Sequence, residues 1–380
     1  MNTNRPTAIA AMSILWFLAA SAIAGEALET VNVTDADRNA AARVVSFGSH
    51  TRGALNPAGG VHAPKTFRSD ASGAQIEVKN LKSAAGGLLS NLTAGSSGLP
   101  PPTFYPADLA QGPGPVVLDA QFHNVYVNCV PSCWDSPAIF ENHLYASSFL
   151  HLVNQYVGSA APGRYSQGKS ATVSYPNSGI LFDNLTSTTN TGNGTGDIAS
   201  ILHAVAAKFG TGYEHVYHVF IPKGTDVCLA DGTCYSPDNI NSWFFCGYHG
   251  YQEFPDIGHV LFTVEPYEDA YAIYNGLPFY ACTVGQPDST VDTYPTPNGV
   301  EVDSQANVLS HETFETITDP DGDAWLLGPY SLAFYGLLDE IGDLCVSQTF
   351  LYSAPILVAG KPYYVQPEYS NKYHACTMIP

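Results

Sequence analysis

The chain has 380 residues, with 34 acidic against 14 basic side chains and a net charge of −20. A field of that sign repels phosphate backbones and anionic lipid, so nucleic-acid and membrane-surface partners are disfavoured. Twenty-three tyrosines, 34 glycines and a charged fraction of only 13% point to a loop-rich, β-containing exported domain.

The N-terminus reads as an export signal. Arg5 precedes an apolar run from Ala8 to Ala20 that is short for a bilayer span, and Ala22-Ile23-Ala24 offers small residues for cleavage before Gly25. Residues 1–24 are therefore expected to be a signal peptide, and the mature protein to be secreted, extracellular and monomeric. Residues 25–112 hold no cysteine or tryptophan, and include Ser83-Ala84-Ala85-Gly86-Gly87 and Pro100-Pro101-Pro102. Such a stretch buries little apolar surface and reads as a low-complexity linker or a removable pro-region.

From residue 113 to 380 the pattern is that of one globular domain. Val116-Val117-Leu118, Val125-Tyr126-Val127, His215 to Ile221 and His259 to Val264 read as strands. Phe140 to Val157 and Asp197 to Phe209 carry apolar residues at helical spacing. The mixture predicts an α+β domain. Eight cysteines lie in this region, an even number that suggests up to four disulfides in an oxidising compartment. Local spacing favours Cys129–Cys133 and Cys228–Cys234, leaving Cys246, Cys282, Cys345 and Cys376 to pair over longer range.

A chemical signal lies in His311-Glu312-Thr313-Phe314-Glu315. A helix capped by Asp303 or Ser304 and ended by Asp319-Pro320 puts His311 and Glu315 on one face, four residues apart. Two such side chains can hold a zinc ion, and Glu312 beside them could take a proton from activated water. The usual motif ends in histidine; a carboxylate is an acceptable zinc ligand in its place. Asp339-Glu340-Ile341-Gly342-Asp343 offers a third ligand, with Glu340 lying 25 residues beyond Glu315. Asp321, ten residues after His311, is the rival, at the spacing of the third ligand in metzincin-like enzymes. Asp319, Asp321 and Asp323 around Gly322 could instead favour Ca2+, or form a plain turn.

Cys246-Gly247-Tyr248-His249-Gly250-Tyr251 could present His249 or Tyr248 to a developing oxyanion. No Gly-x-Ser-x-Gly element supports a serine nucleophile, and the cysteines are better used as disulfides. Asn32, Asn91, Asn184 and Asn193 stand in glycosylation sequons.

The pair of acidic segments resembles that of thermolysin-like zinc peptidases, in which a later glutamate completes the metal site and an aspartate orients a ligand histidine. The resemblance implies a zincin-like domain with a mixed sheet and an active-site helix. It implies His311, Glu315 and Glu340 on zinc, Glu312 as general base, Asp343 behind His311, and a protein or peptide substrate. Tyr165-Ser166-Gln167-Gly168-Lys169-Ser170, Phe245-Cys246-Gly247-Tyr248-His249-Gly250 and Asn298-Gly299-Val300-Glu301-Val302-Asp303 resemble segments of the phosphate-induced (Exordium-like) family of secreted plant cell-wall proteins. That resemblance spans residues 113–380 and implies secretion and, as an alternative, a non-catalytic extracellular role with at most a structural metal.

Overall fold

The computed structural model describes residues 28–44, 46–53, 67–69, 75–77, 108–177, 179–183, 196–229, 234–237, 243, 245–268, 272–274, 277–279, 282–284, 296–327, 340–345 and 356–380. The expected signal peptide and the sequons at Asn91, Asn184 and Asn193 lie outside them. Eight strands form the main sheet: β1 (Leu28–Asn32), β2 (Ser46–Gly53), β3 (Ala120–Val127), β4 (Tyr165–Gln167), β5 (Ser170–Ser174), β6 (His215–Phe220), β7 (Phe245–Phe254) and β8 (Gly258–Glu265). Their order is β1-β5-β3-β6-β8-β7-β2, with β4 added alongside β3. Strands β1, β5, β3, β6 and β8 run parallel, whereas β7 and β2 close one side antiparallel.

Parallel neighbours need a crossover, and α3 (Asp197–Phe209) supplies the one from β5 to β6. It packs with α1 (Asp35–Ala41) on one face, where Ile201, Leu202 and Val205 meet Val125, Val219 and Phe262. The other face is covered by α2 (Ala138–Tyr145) and α4 (Val300–Thr318). There Leu144, Leu309 and Phe314 share a core with Phe122, Val216 and Leu261. Alternate residues of each strand thus serve opposite layers, as a pleated sheet requires. The expected mixed sheet is present. With helices on both faces, however, the layering is α/β rather than the segregated arrangement of an α+β domain.

Several local expectations are corrected. Val116 to Leu118 form no strand: the Val117 amide donates to the Ile317 carbonyl (2.9 Å), tying this segment to the end of α4. The helix expected over Phe140 to Val157 breaks after Tyr145 and resumes as the short turns Leu150–Val153 and Asn154–Val157. Helix α4 begins one turn before Asp303, with Gly299 at its N-cap. The Asp303 carboxylate accepts the amides of Asn298 and Tyr364 (both 3.1 Å). Residues 28–53, inside the stretch read as linker or pro-region, add β1 and β2 to opposite edges of the sheet. Thr34 and Asp37 close a reciprocal capping box at the start of α1.

All eight cysteines are paired: Cys129–Cys133, Cys228–Cys234, Cys246–Cys282 and Cys345–Cys376. Both local pairs are those expected, and the set is consistent with an oxidising compartment. Among the described residues no helix is long and apolar enough to cross a membrane. The Cys345–Cys376 bridge closes a loop of sequence separation 31. Replacing both cysteines by alanine is therefore expected to remove about 3–4 kcal/mol of unfolding free energy, read from denaturant titrations under oxidising conditions.

Candidate metal centre

Helix α4 and strand β7 build the centre between them. One helical turn separates His311 from Glu315, and His311 Nε2 lies 3.0 Å from Glu315 Oε1. From the facing strand, His249 Nδ1 stands 3.3 Å from Glu312 Oε2 and 3.5 Å from Glu315 Oε2. His249 Nε2 reaches Glu340 Oε1 at 3.5 Å and the carbonyl oxygen of Asp319 at 3.2 Å. Two sets of ligand atoms converge, each within 4.8 Å: His249 with Glu315 and Glu340, and His311 with Glu312 and Glu315. Glu315 belongs to both.

Two glycines permit this closeness. A Cβ on Gly247 would lie 2.6 Å from Val308 and 3.0 Å from Glu312 Oε1. On Gly342 it would lie 2.5 Å from His311 Nδ1 and 3.0 Å from Glu315 Oε1. Any larger residue would push the β7 and 340–345 segments away from α4. The amide of Asp343 then donates to Glu315 Oε1 (3.0 Å). Elsewhere on the helix, Thr313, Thr316 and Thr318 satisfy their hydroxyls on carbonyls one turn back, at 2.6, 2.7 and 3.0 Å.

Burial sharpens the electrostatics. His249, His311, Glu312 and Glu315 are each 0% exposed, and Glu340 is 2% exposed. Counting Asp343, four carboxylates face two imidazoles. Burial raises the Glu312 carboxyl above its ordinary range, and the charge of Glu315 adds to this against the pull of the histidines. Burial also acts to raise Glu315, but His311 and His249 outweigh it and hold that carboxyl well below the usual range. For His249, burial favours the neutral ring, yet Glu312 and Glu315 overcome it and push the imidazole up to about 10. The charge distribution is the one a cation would complete, because several buried carboxylates without compensation cost several kcal/mol each. Glu312 Oε1 accepts no hydrogen bond.

The sequence-derived candidates divide cleanly. His249, His311, Glu312, Glu315, Glu340 and Asp343 are gathered here. Asp343 Oδ1 lies 3.7 Å from His311 Nε2, the nitrogen that faces Glu315. The other ring nitrogen, Nδ1, is held by the Gln366 side chain at 2.9 Å, a partner that no spacing rule reveals. Gln366 Nε2 also donates to the Gly342 carbonyl (2.8 Å), so one amide fixes both the histidine and the glycine beneath it.

Tyr248 points to the opposite face of the sheet, in ring contact with Phe245 and Phe262, as strand alternation demands. Asp321 is engaged elsewhere: it accepts from the Tyr213 hydroxyl (2.5 Å) and lies 3.1 Å from His259 Nε2. Asp319 Oδ1 accepts the Ala324 amide (2.7 Å), and neither convergent set among the described residues includes Asp319, Asp321 or Asp323. Comparison with family models, curated proteins and solved structures gave no match, so the reading of this centre rests on its own chemistry.

Proposed function

We propose that the chain is an exported zinc-dependent hydrolase acting on polypeptides. The observation that carries this reading is the buried set of four carboxylates and two imidazoles converging between α4 and β7. Zinc suits a mixed nitrogen and oxygen donor set; Glu315 belongs to both convergent sets and would hold it, with His311 joining from one set and Glu340 from the other. When bound, the metal supplies a Lewis acid for a carbonyl oxygen and lowers the pKa of water. Glu312 takes the proton from the attacking water; its raised affinity for protons suits a group that must accept one and pass it to the leaving amine. His249 is held on both sides, its Nδ1 against Glu312 and its Nε2 against the Asp319 carbonyl oxygen, so it would orient Glu312 rather than meet an oxyanion. Gln366 fixes the His311 ring. The polypeptide substrate follows from the likeness of the two acidic segments to thermolysin-like peptidases.

One observation favours a second reading. Complete burial of His249, His311, Glu312 and Glu315 also suits a metal that only holds α4, β7 and residues 340–345 together. The protein would then be a non-catalytic extracellular protein of the phosphate-induced type.

The two readings part at Glu312. Metal analysis of the mature protein should find about one zinc per chain. Glu312→Gln should keep that zinc and lower hydrolysis of denatured casein by about 10²–10⁴-fold. A zinc-free protein, or a variant as active as the parent, would remove the hydrolase reading. Zinc retained with no activity in either form would favour the structural one. A separate substitution tests the packing. Gly342→Ala should displace His311 from Glu315 and weaken zinc retention by about 10–100-fold in a chelator competition.

A further inference from the structure

A second site lies at the other end of α4. The parallel strands β3, β6 and β8 end on one side of the sheet, and the segments that follow β3 and β8 bound a cleft there. From β3 the chain passes to β5 on one side, and β6 returns on the other, so β3 and β6 flank a reversal of strand order. Open α/β sheets bind ligands in the crevice outside such carboxyl ends.

The cleft has two lobes that share Trp134, Asp135, Val302 and Gln305. One lobe, of about 230 Å³, is acidic: Asp135, Glu268 and Glu301 line it, with the Tyr267 ring at the side. The other, of about 100 Å³, is more apolar, walled by Ile139, Phe140, Leu309 and Tyr363, with Ser136 and Asn298 also lining it. Among the described residues, no lysine, arginine or histidine lines either lobe. Lys223 Nζ lies over the Tyr267 ring, 5.4 Å from its centroid.

At the junction, Gln305 is 5% exposed and neither atom of its amide has a hydrogen-bond partner. Trp134 is 4% exposed with its indole N–H likewise unpaired, while its ring rests on Tyr126 and Phe220. An unmatched buried amide is costly, and that cost is recovered when a ligand brings both a donor and an acceptor. A peptide group brings both.

We infer that this cleft binds a polypeptide segment in which a cationic side chain stands beside an apolar one. The guanidinium or ammonium enters the acidic lobe, the apolar side chain fills the second lobe, and the peptide group between them pairs with Gln305. The net charge of −20 draws such a segment in. This inference deepens the hydrolase reading by naming a substrate class, but the cleft is separate from the metal centre and can be tested without hydrolysis.

The test is calorimetric titration of the full-length mature protein carrying Glu312→Gln with acetyl-Leu-Arg-Leu-amide. The citrulline analogue, of the same shape but neutral, is titrated beside it. The arginine peptide should bind at least about tenfold more tightly, and that advantage should shrink as salt is raised. Gln305→Leu should weaken both peptides by about tenfold. Glu301→Gln, at an exposed position that leaves folding intact, should cut only the arginine advantage. Equal affinity for the two peptides, or no binding of either, would overturn the inference. So would a Gln305→Leu variant that melts like its parent and binds like it. Zinc content and the effect of Glu312→Gln on casein hydrolysis report on the metal centre, and peptide titration reports on the cleft, so failure of one reading is distinguishable from failure of the other.

Discussion

The constraint on which the rest of the structure depends is the burial of like charge between α4 and β7. Glu312, Glu315 and Glu340 sit with His249 and His311 almost wholly buried. Nothing in the apolar core could stabilise such a group of carboxylates; only close imidazoles, backbone amides and a cation can. Helix α4 is therefore polar where an ordinary core helix would be apolar. Its apolar residues Leu309, Phe314 and Ile317 pack against the α2 side of the core, and its charged residues are turned onto the sheet.

Covalent ties stand on either side of this centre. Cys246, bonded to Cys282, directly precedes Gly247 on β7. Cys345, bonded to Cys376, follows Asp343 by two residues. Each of the two segments that approach α4 is thus anchored next to the glycine that lets it approach. Repulsion among carboxylates would otherwise open the structure at these segments. The disulfides counter that tendency by narrowing the unfolded ensemble, while Gln366 holds the local geometry.

Much of this was legible because it rests on local periodicity. The four-residue spacing of His311 and Glu315 and the stop at Pro320 placed α4 almost correctly. The apolar spacing from Asp197 to Phe209 gave α3 its full length. What escaped detection depends on contacts between distant segments. Strands β1 and β2 come from a stretch of low hydrophobicity, and they join the sheet through backbone hydrogen bonds that carry no side-chain signature. Val116-Val117-Leu118 is apolar enough for a strand, yet only Val117 is fully buried there and it docks on the end of α4. The sequence marks His249 as a candidate donor toward substrate, but no spacing rule shows that it lies opposite Glu312. Gln366 gave no signal at all, since an isolated glutamine acquires a role only from what the fold sets beside it.

The two halves of α4 put the same acidity to different uses. Toward its C-terminal end the carboxylates are buried, and a small cation with nitrogen and oxygen ligands would satisfy them. Toward its N-terminal end Glu301 and Asp135 remain at the surface, and the neighbouring lobe is lined by rings and aliphatic groups. A hydrated or flexible cation with an apolar neighbour fits there at far lower desolvation cost. On both proposals one helix would hold a buried site and an exposed one at a fixed separation. That separation is what a hydrolase needs if a polypeptide is to be gripped away from the bond it cleaves, because binding energy gathered at a distance can then be spent on orientation at the reacting carbonyl.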